Sequence, residues 1–129
     1  THVKAGLVAG DGGAVIWPLL VGVAKAKELL MTGDIIDAAE AERIGLVNKV
    51  VPHDKLMEEA MDLARRLANG PAMAIRGTKH AINKKVWADL TLSLDMGLAL
   101  EERSSRHPDH NEAARSFVEK RTPEYKGTI

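Results

Sequence analysis

A histidine and an aspartate near the start of the sequence, His2 and Asp11, could together carry acid–base chemistry. An imidazole titrates near neutral pH, so a histidine can both accept and deliver a proton. A carboxylate bound to one ring nitrogen fixes the tautomer and raises the basicity of the other nitrogen. Asp11 is the candidate partner for His2. The alternative is that His2 is a frayed terminal residue and that Asp11 only forms a turn.

The other histidines give no indication of a metal site. His107 and His110 are three residues apart, but Pro108 lies between them at an expected helix start, and no third ligand follows. His53 and His80 are isolated in the sequence, and all four are expected at the surface. The sequence contains no cysteine, which excludes disulfides and thiolate chemistry. No metal is therefore predicted.

Composition limits the class of protein. The chain has 129 residues, of which 45% are hydrophobic and 28% charged, a globular balance. Aromatic residues make up only 3%, which favours helix packing over a β-sandwich. The formal net charge is zero, whereas a nucleic-acid-binding protein normally has a basic excess. The longest uncharged apolar run is too short to span a bilayer, and no signal peptide is visible. A cytoplasmic location is expected.

Capping residues and helical periodicity predict at least five helices. A helix over Ala24 to Thr32 is expected to end at Gly33, and Asp37 with Glu40 resembles the capping box of a helix that ends at Ile44. Two further helices are expected to start at Pro18 and after a cap at Asp54. Three more are expected over Ala72 to about Lys85, about Leu90 to Ser105, and Pro108 to about Lys120.

Two segments have the composition of strands. Val3 to Val8 could be the end of a buried strand, and Leu46 to Val51 is the clearest strand, stopped by Pro52. A strand needs a neighbour for its backbone groups, so a sheet-forming segment outside this chain is expected. The sequence also opens without an initiator methionine, which suggests a truncated or cleaved product. The alternative is removal of the methionine during maturation.

Four segments follow one another at compatible spacing. Gly6 to Gly13 (GLVAGDGG) is similar to a G-x-x-P-G-x-G-G loop, with Ala9 in place of the proline, and a helix over Ala24 to Gly33 follows it. Ala38 to Pro52 (AAEAERIGLVNKVVP) and Ala114 to Arg121 (ARSFVEKR) complete the set. Together they resemble the C-terminal half of the enoyl-CoA hydratase/isomerase superfamily, the crotonases.

The resemblance implies an α/β crotonase-like fold, a spiral of ββα turns followed by a helical region. The chain would be the C-terminal portion of that fold, mostly helical with one or two short strands. Residues 1–52 would finish the spiral core. Residues 53–129 would form the helical region that mediates oligomerisation and contacts coenzyme A. A homo-oligomer, most simply a trimer or hexamer, is the expected assembly.

The resemblance also implies an incomplete active site. The family polarises a thioester carbonyl with two backbone N–H groups, and both would lie in a missing N-terminal half of the same polypeptide. One hydratase glutamate would lie there too, and the second aligns with His2. A histidine here departs from the two-glutamate pattern. The spacing of His2 and Asp11 resembles the pair in the 6-oxocamphor hydrolase branch, which cleaves β-diketones.

Two residues near the end of the chain match family positions that contact coenzyme A. By the resemblance, Phe117 would stack on the adenine and Lys120 would pair with the 3′-phosphate. The alternative is a core phenylalanine and a solvated lysine. Coenzyme A would enter as part of the acyl-CoA substrate, and no separate cofactor is expected.

Three functions remain open from the sequence. The first is an enoyl-CoA hydratase/isomerase family lyase, acting through an oxyanion-stabilised enolate. The second is a carbon–carbon hydrolase of the same superfamily that uses His2 and Asp11. The third is a non-catalytic helical assembly module. Neither a nucleic-acid nor a membrane partner is expected.

Overall fold

A computed structural model describes residues 1–127 and shows that part of the chain to be helical. Two short 3-10 turns, His2–Ala5 and His53–Lys55, accompany the α-helices. The α-helices are α1 (Gly13–Val21), α2 (Val23–Thr32), α3 (Ala38–Arg43), α4 (Leu56–Ala68), α5 (Ala72–Ser105) and α6 (Pro108–Glu119). The expectation of at least five helices is confirmed. None of the helices in residues 1–127 is long and apolar enough to cross a bilayer.

The chain divides into two compact units, and the first combines residues 1–36 with the chain from Leu90 onwards. In this unit α1 packs on α2, and the His2–Ala5 turn packs on both α2 and α6. The expected cap after α2 is confirmed, since Gly33 adopts a left-handed conformation with φ of 69°. Besides Gly10 and Gly33, the buried residues of the unit are Val15, Ala26, Leu29, Ala113 and Ser116.

The second unit, residues 37–89, contains α3, α4 and the first half of α5. The predicted cap at Asp37 is confirmed, because its Oδ1 accepts a hydrogen bond from the Glu40 N–H at 2.8 Å. Ala41 on α3 is buried, whereas α4 has no buried residue. Both units are defined by packing alone, so the boundary at Pro52 between spiral core and helical region stays a prediction.

Neither predicted strand forms within residues 1–127, so the expectation of one or two short strands is wrong. Val3 lies in the first 3-10 turn, where the Gly6 N–H donates to its carbonyl at 3.0 Å. The segment from Leu46 instead wraps the end of α3. The Leu46 N–H donates to the Ala41 carbonyl at 2.9 Å, and the Val50 N–H donates to Glu42 at 3.1 Å. Local acceptors thus satisfy backbone groups that a strand would pair with a neighbour.

Three predicted helix boundaries are also wrong. The two helices expected between residues 72 and 105 are one continuous helix. The expected gap between Lys85 and Leu90 contains no Gly or Pro, and the Lys85–Asp89 ion pair at 3.2 Å bridges it. Pro18 lies inside α1 rather than at its start. Asp54 lies in the second 3-10 turn, and Lys55 precedes α4 without a side-chain cap.

Candidate active site

The structure brings His2 and Asp11 together in the first unit. His2 is on the first 3-10 turn and Asp11 is in the loop before α1. The His2 Nε2 atom lies 3.4 Å from the Asp11 Oδ2 atom, an ion-pairing distance when the imidazole is protonated. The fold thus brings the predicted pair within ion-pairing range of each other.

A second carboxylate, Glu101 of α5, faces the same imidazole. Its Oε1 atom lies 3.9 Å from His2 Nε2, and its side chain is 24% exposed. The other carboxylate oxygen, Oε2, is buried without a hydrogen-bond partner among residues 1–127. A buried acceptor without a donor is costly, so this oxygen is suited to receive one from a bound molecule or another segment.

Glu101 is not among the site residues predicted from the sequence, because the charge pattern of Glu101, Glu102 and Arg103 is typical of a solvated helix face. That interpretation is wrong for Glu101, although Glu102 is exposed and pairs with Arg106. The one signal in the sequence was Gly97, a glycine inside a helix, which often marks a close backbone approach. Glu101 follows Gly97 by one helical turn.

The cluster formed by His2, Asp11 and Glu101 could also hold a cation. One possible ligand atom from each residue lies within 4.8 Å of the others. Three ligands of this kind would leave coordination positions open on a divalent ion. The same arrangement, an imidazole facing two carboxylates, is equally that of a proton-transfer site.

The structure also contains an apolar cleft of about 590 Å³. One of its lining residues is Val3, which directly follows His2 in the sequence. Lys27 is its one charged lining residue among those that the structure describes. The other lining residues are apolar: Leu7, Val8, Ala9, Ala14, Pro18, Val23, Ala26, Leu30 and Met31. Such a surface suits a hydrocarbon group or the apolar face of another segment.

The structure places Phe117 and Lys120 at the end of α6, and neither residue lines that cleft. Phe117 is 85% exposed, so the alternative of a core phenylalanine is wrong. Lys120 is exposed and ends α6 in a left-handed conformation with φ of 53°. Both side chains are thus accessible to a ligand, while their role in binding coenzyme A stays a prediction.

Beyond α6, an ion-pair network holds the chain against the helix. Arg121 donates hydrogen bonds to both carboxylate oxygens of Glu112, one of them at 3.1 Å, and the Glu124 N–H donates to Glu112 at 3.0 Å. The hydrogen bonds from Arg121, followed by the one from the Glu124 backbone, lower the pKa of Glu112 to about 2. Hydrogen bonding to Glu112 likewise raises the pKa of Arg121.

Comparison with known proteins decides the family. The sequence profile of the enoyl-CoA hydratase/isomerase family matches residues 1–128. The chain belongs to the enoyl-CoA hydratase/isomerase family. It is 37% identical over 124 residues to a probable enoyl-CoA hydratase of Mycobacterium tuberculosis, with 96% of this chain and 48% of that protein covered. The chain therefore spans about half the length of the curated relatives that it matches.

Solved structures extend the likeness to the fold. An enoyl-CoA hydratase from Mycobacterium avium subsp. paratuberculosis matches with a TM-score of 0.87 and 31% identity, over 97% of this chain and 51% of that one. A β-diketone hydrolase from Anabaena, solved with (S)-3-oxocyclohexyl acetic acid bound, matches with a TM-score of 0.75 and 34% identity. That match covers 81% of this chain and 42% of the hydrolase.

Proposed function

We propose that this chain supplies part of the active site of an acyl-CoA enzyme that hydrates or isomerises enoyl-CoA thioesters through an enolate. The observation that carries the proposal is the family match over residues 1–128. The cluster of His2, Asp11 and Glu101 supports it, because enolate chemistry needs a group that moves a proton at the carbon next to the thioester.

In this proposal His2 moves the proton, and Asp11 orients the imidazole ring of His2. Nε2 faces both carboxylates, which leaves Nδ1 as the ring nitrogen that can meet the substrate. A carboxylate facing Nε2 can fix the tautomer and the orientation of the ring, so that Nδ1 is aimed at the proton to be moved. The backbone donors that stabilise the oxyanion would come from the part of the family domain that this chain does not cover.

Substrate and assembly follow from the same family resemblance. The acyl-CoA would place its adenine and 3′-phosphate at Phe117 and Lys120, both of which are exposed. Exposed leucines on α4 and α5 support a homo-oligomer, since monomeric proteins rarely leave contiguous apolar faces uncovered. We propose a trimer or hexamer that uses no cofactor besides the coenzyme A of its substrate.

Substitution of the pair tests this function in the full native polypeptide that contains the chain. His2→Ala should lower kcat/KM for crotonyl-CoA at least about a hundredfold, the usual contribution of a general acid–base group. Asp11→Asn should lower it less, because the imidazole remains but loses its orienting charge. His53→Ala, in the second 3-10 turn, is the matched control and should leave the rate unchanged. Full activity of His2→Ala would reject the proposed role.

A carbon–carbon hydrolase is the second candidate, and the contact between His2 and Asp11 favours it specifically. A histidine–aspartate pair replaces the expected glutamate, and the Anabaena protein whose structure resembles this chain is named a β-diketone hydrolase. Such an enzyme adds water to one carbonyl and breaks the bond from that carbon to the central carbon. The carbonyl carbon becomes a carboxylic acid and the central carbon takes up a proton, so that a cyclic substrate opens to an oxo acid. Turnover of a cyclic β-diketone without turnover of crotonyl-CoA would favour this candidate over the first.

A further inference from the structure

Two glycines far apart in the sequence bring the loop before α1 into direct contact with α5. A Cβ atom on Gly10 would lie 2.0 Å from the Gly97 carbonyl oxygen, and one on Gly97 would lie 2.7 Å from the Gly10 carbonyl oxygen. Both obstacles are backbone atoms, which cannot move aside as the end of a long side chain can. Only glycine therefore fits at either position without displacing the loop from the helix.

A second tether joins the same two segments. The Val8 N–H donates a hydrogen bond to the Ser104 Oγ at 3.0 Å, and the Ser104 hydroxyl donates to the Glu101 carbonyl at 2.7 Å. Ser104 lies two helical turns after Gly97, so both contacts fall on one side of α5. The loop is consequently held along the helix at two points and cannot slide freely against it.

These contacts fix the positions of the two carboxylates that face His2 Nε2. Asp11 directly follows Gly10, and the Glu101 Cβ atom lies 3.0 Å from the position that a Cβ on Gly10 would occupy. Any displacement of Gly10 from Gly97 must therefore change the separation between Asp11 and Glu101. We propose that Gly10 and Gly97 are positioning residues that set the register of the loop on α5 and thereby assemble the cluster of His2, Asp11 and Glu101. This inference rests on the proposed acid–base role of that cluster.

The test compares two Gly→Ala substitutions in one helix, made in the full native polypeptide. Gly97→Ala introduces the clash with the loop, whereas an added Cβ on Gly77, also in α5, meets no atom within 4 Å. Both variants replace a helical glycine by alanine, so their gain in helix propensity is matched. Ser104→Ala removes the second tether without adding atoms and serves as the milder variant if Gly97→Ala does not fold.

Gly97→Ala should lower kcat at least tenfold and change KM less than twofold, because a displaced proton-transfer group affects the chemical step more than binding. Ser104→Ala should also lower kcat, by a smaller factor. Gly77→Ala should have the same kcat and KM as the parent. In an Asp11→Asn background, Gly97→Ala should cost less than threefold further, since both changes act through the same contact. Unchanged kcat in Gly97→Ala, or losses that multiply fully with Asp11→Asn, would overturn the inference.

A crystal structure of Gly97→Ala, or of Ser104→Ala in its place, separates this inference from the proposed function. The distance between His2 Nε2 and Asp11 Oδ2 should exceed 4 Å in the variant, against 3.4 Å in the parent. An unchanged distance would overturn the positioning role whatever the activity. If the distance opens while His2→Ala keeps full activity, the positioning stands and the proposed reaction fails.

Discussion

At the scale of single residues, His2 lies close to two carboxylates that come from parts of the chain far apart in sequence. Asp11 lies in a loop and is mostly exposed, while Glu101 projects from α5 and buries one oxygen without a donor among residues 1–127. The two acids thus differ in environment, and the more buried one has unsatisfied hydrogen-bonding capacity. We expect that capacity to be met when the site is complete and occupied.

A prediction at this scale concerns recognition of the coenzyme. In the full native polypeptide, Lys120→Ala should weaken binding of coenzyme A by about 1–3 kcal/mol if its ammonium pairs with the 3′-phosphate. Alanine keeps a non-glycine residue at a φ of 53°, so the strain at the end of α6 stays comparable. Calorimetric titration gives both affinities.

Two controls test whether the loss of affinity comes from the 3′-phosphate: a ligand without that phosphate, and a second lysine removed in the same way. Lys120→Ala should weaken 3′-dephospho-coenzyme A much less than coenzyme A. Lys126→Ala removes the same charge from an exposed position six residues later in the chain and should alter neither affinity. Equal losses of affinity for both ligands in Lys120→Ala would reject the pairing with the phosphate.

The candidate site was only partly predictable from the sequence. His2 and Asp11 are nine residues apart, and the family resemblance points to His2, so the sequence makes the pair a candidate but leaves open whether the two side chains meet. Glu101 could not be predicted, because its neighbours Glu102 and Arg103 give its helix a solvated charge pattern. The contact that brings Glu101 to His2 depends on a glycine pair 87 residues apart, Gly10 and Gly97, which local patterns do not reveal.

At the scale of elements, the caps of helices are easier to predict from the sequence than the points where one helix ends and the next begins. Asp37 and Gly33 act within one turn of their own helix, so sequence spacing suffices to place them. The continuity of α5 past Lys85 is not evident from the sequence, because the composition shifts there as it does at a helix boundary. Leu46 to Val51 has β-branched residues and yet forms no strand, because pairing partners, and not propensity alone, decide sheet formation.

The stabilisation that comes from the contact between α6 and the chain that follows should be lost at acid pH. The pKa of Glu112 is lowered to about 2 in the folded chain by Arg121 and the Glu124 N–H, below an ordinary value of 4.5. A depressed folded-state pKa stabilises the folded form above the ordinary value. That stabilisation is lost as pH falls from about 4.5 towards 2. Thermal unfolding measured across this range should show the loss.

Glu112→Gln should remove this part of the pH dependence, because an amide does not titrate. Glu124→Gln is the matched control, since it makes the same change in the same segment and leaves the Glu124 backbone N–H in place. The control should keep the acid-dependent loss of stability. Identical pH profiles for the parent and Glu112→Gln would contradict the assignment.

At the scale of the whole molecule, apolar side chains remain uncovered on α4. Leu56, Leu63 and Leu67 are each about half exposed, and the helix has no buried residue. Leu98 on α5 is 47% exposed. A face of this kind is typical of surfaces that another copy or another segment covers.

We therefore expect the full native polypeptide to be a trimer or hexamer at micromolar concentration by light scattering. Leu63→Glu should shift it towards smaller species, because a charge would replace an apolar contact in the interface. Arg66→Glu introduces the same residue on the same helix at an exposed position and should leave the assembly intact. A stable monomer for the parent protein would contradict this expectation.

The central claim, that this chain belongs to an enolate-forming acyl-CoA enzyme in which His2 moves the proton, is tested most directly by isotope exchange. Butyryl-CoA in D2O is incubated with the full native polypeptide, and loss of the proton signal next to the thioester is followed by NMR. Exchange is expected with the full polypeptide, and His2→Ala should slow it at least about a hundredfold. An isolated chain of residues 1–129 should show no exchange, because loss of even one oxyanion donor costs roughly a hundredfold or more. Absence of exchange with the full polypeptide, or an unchanged rate in His2→Ala, would contradict it.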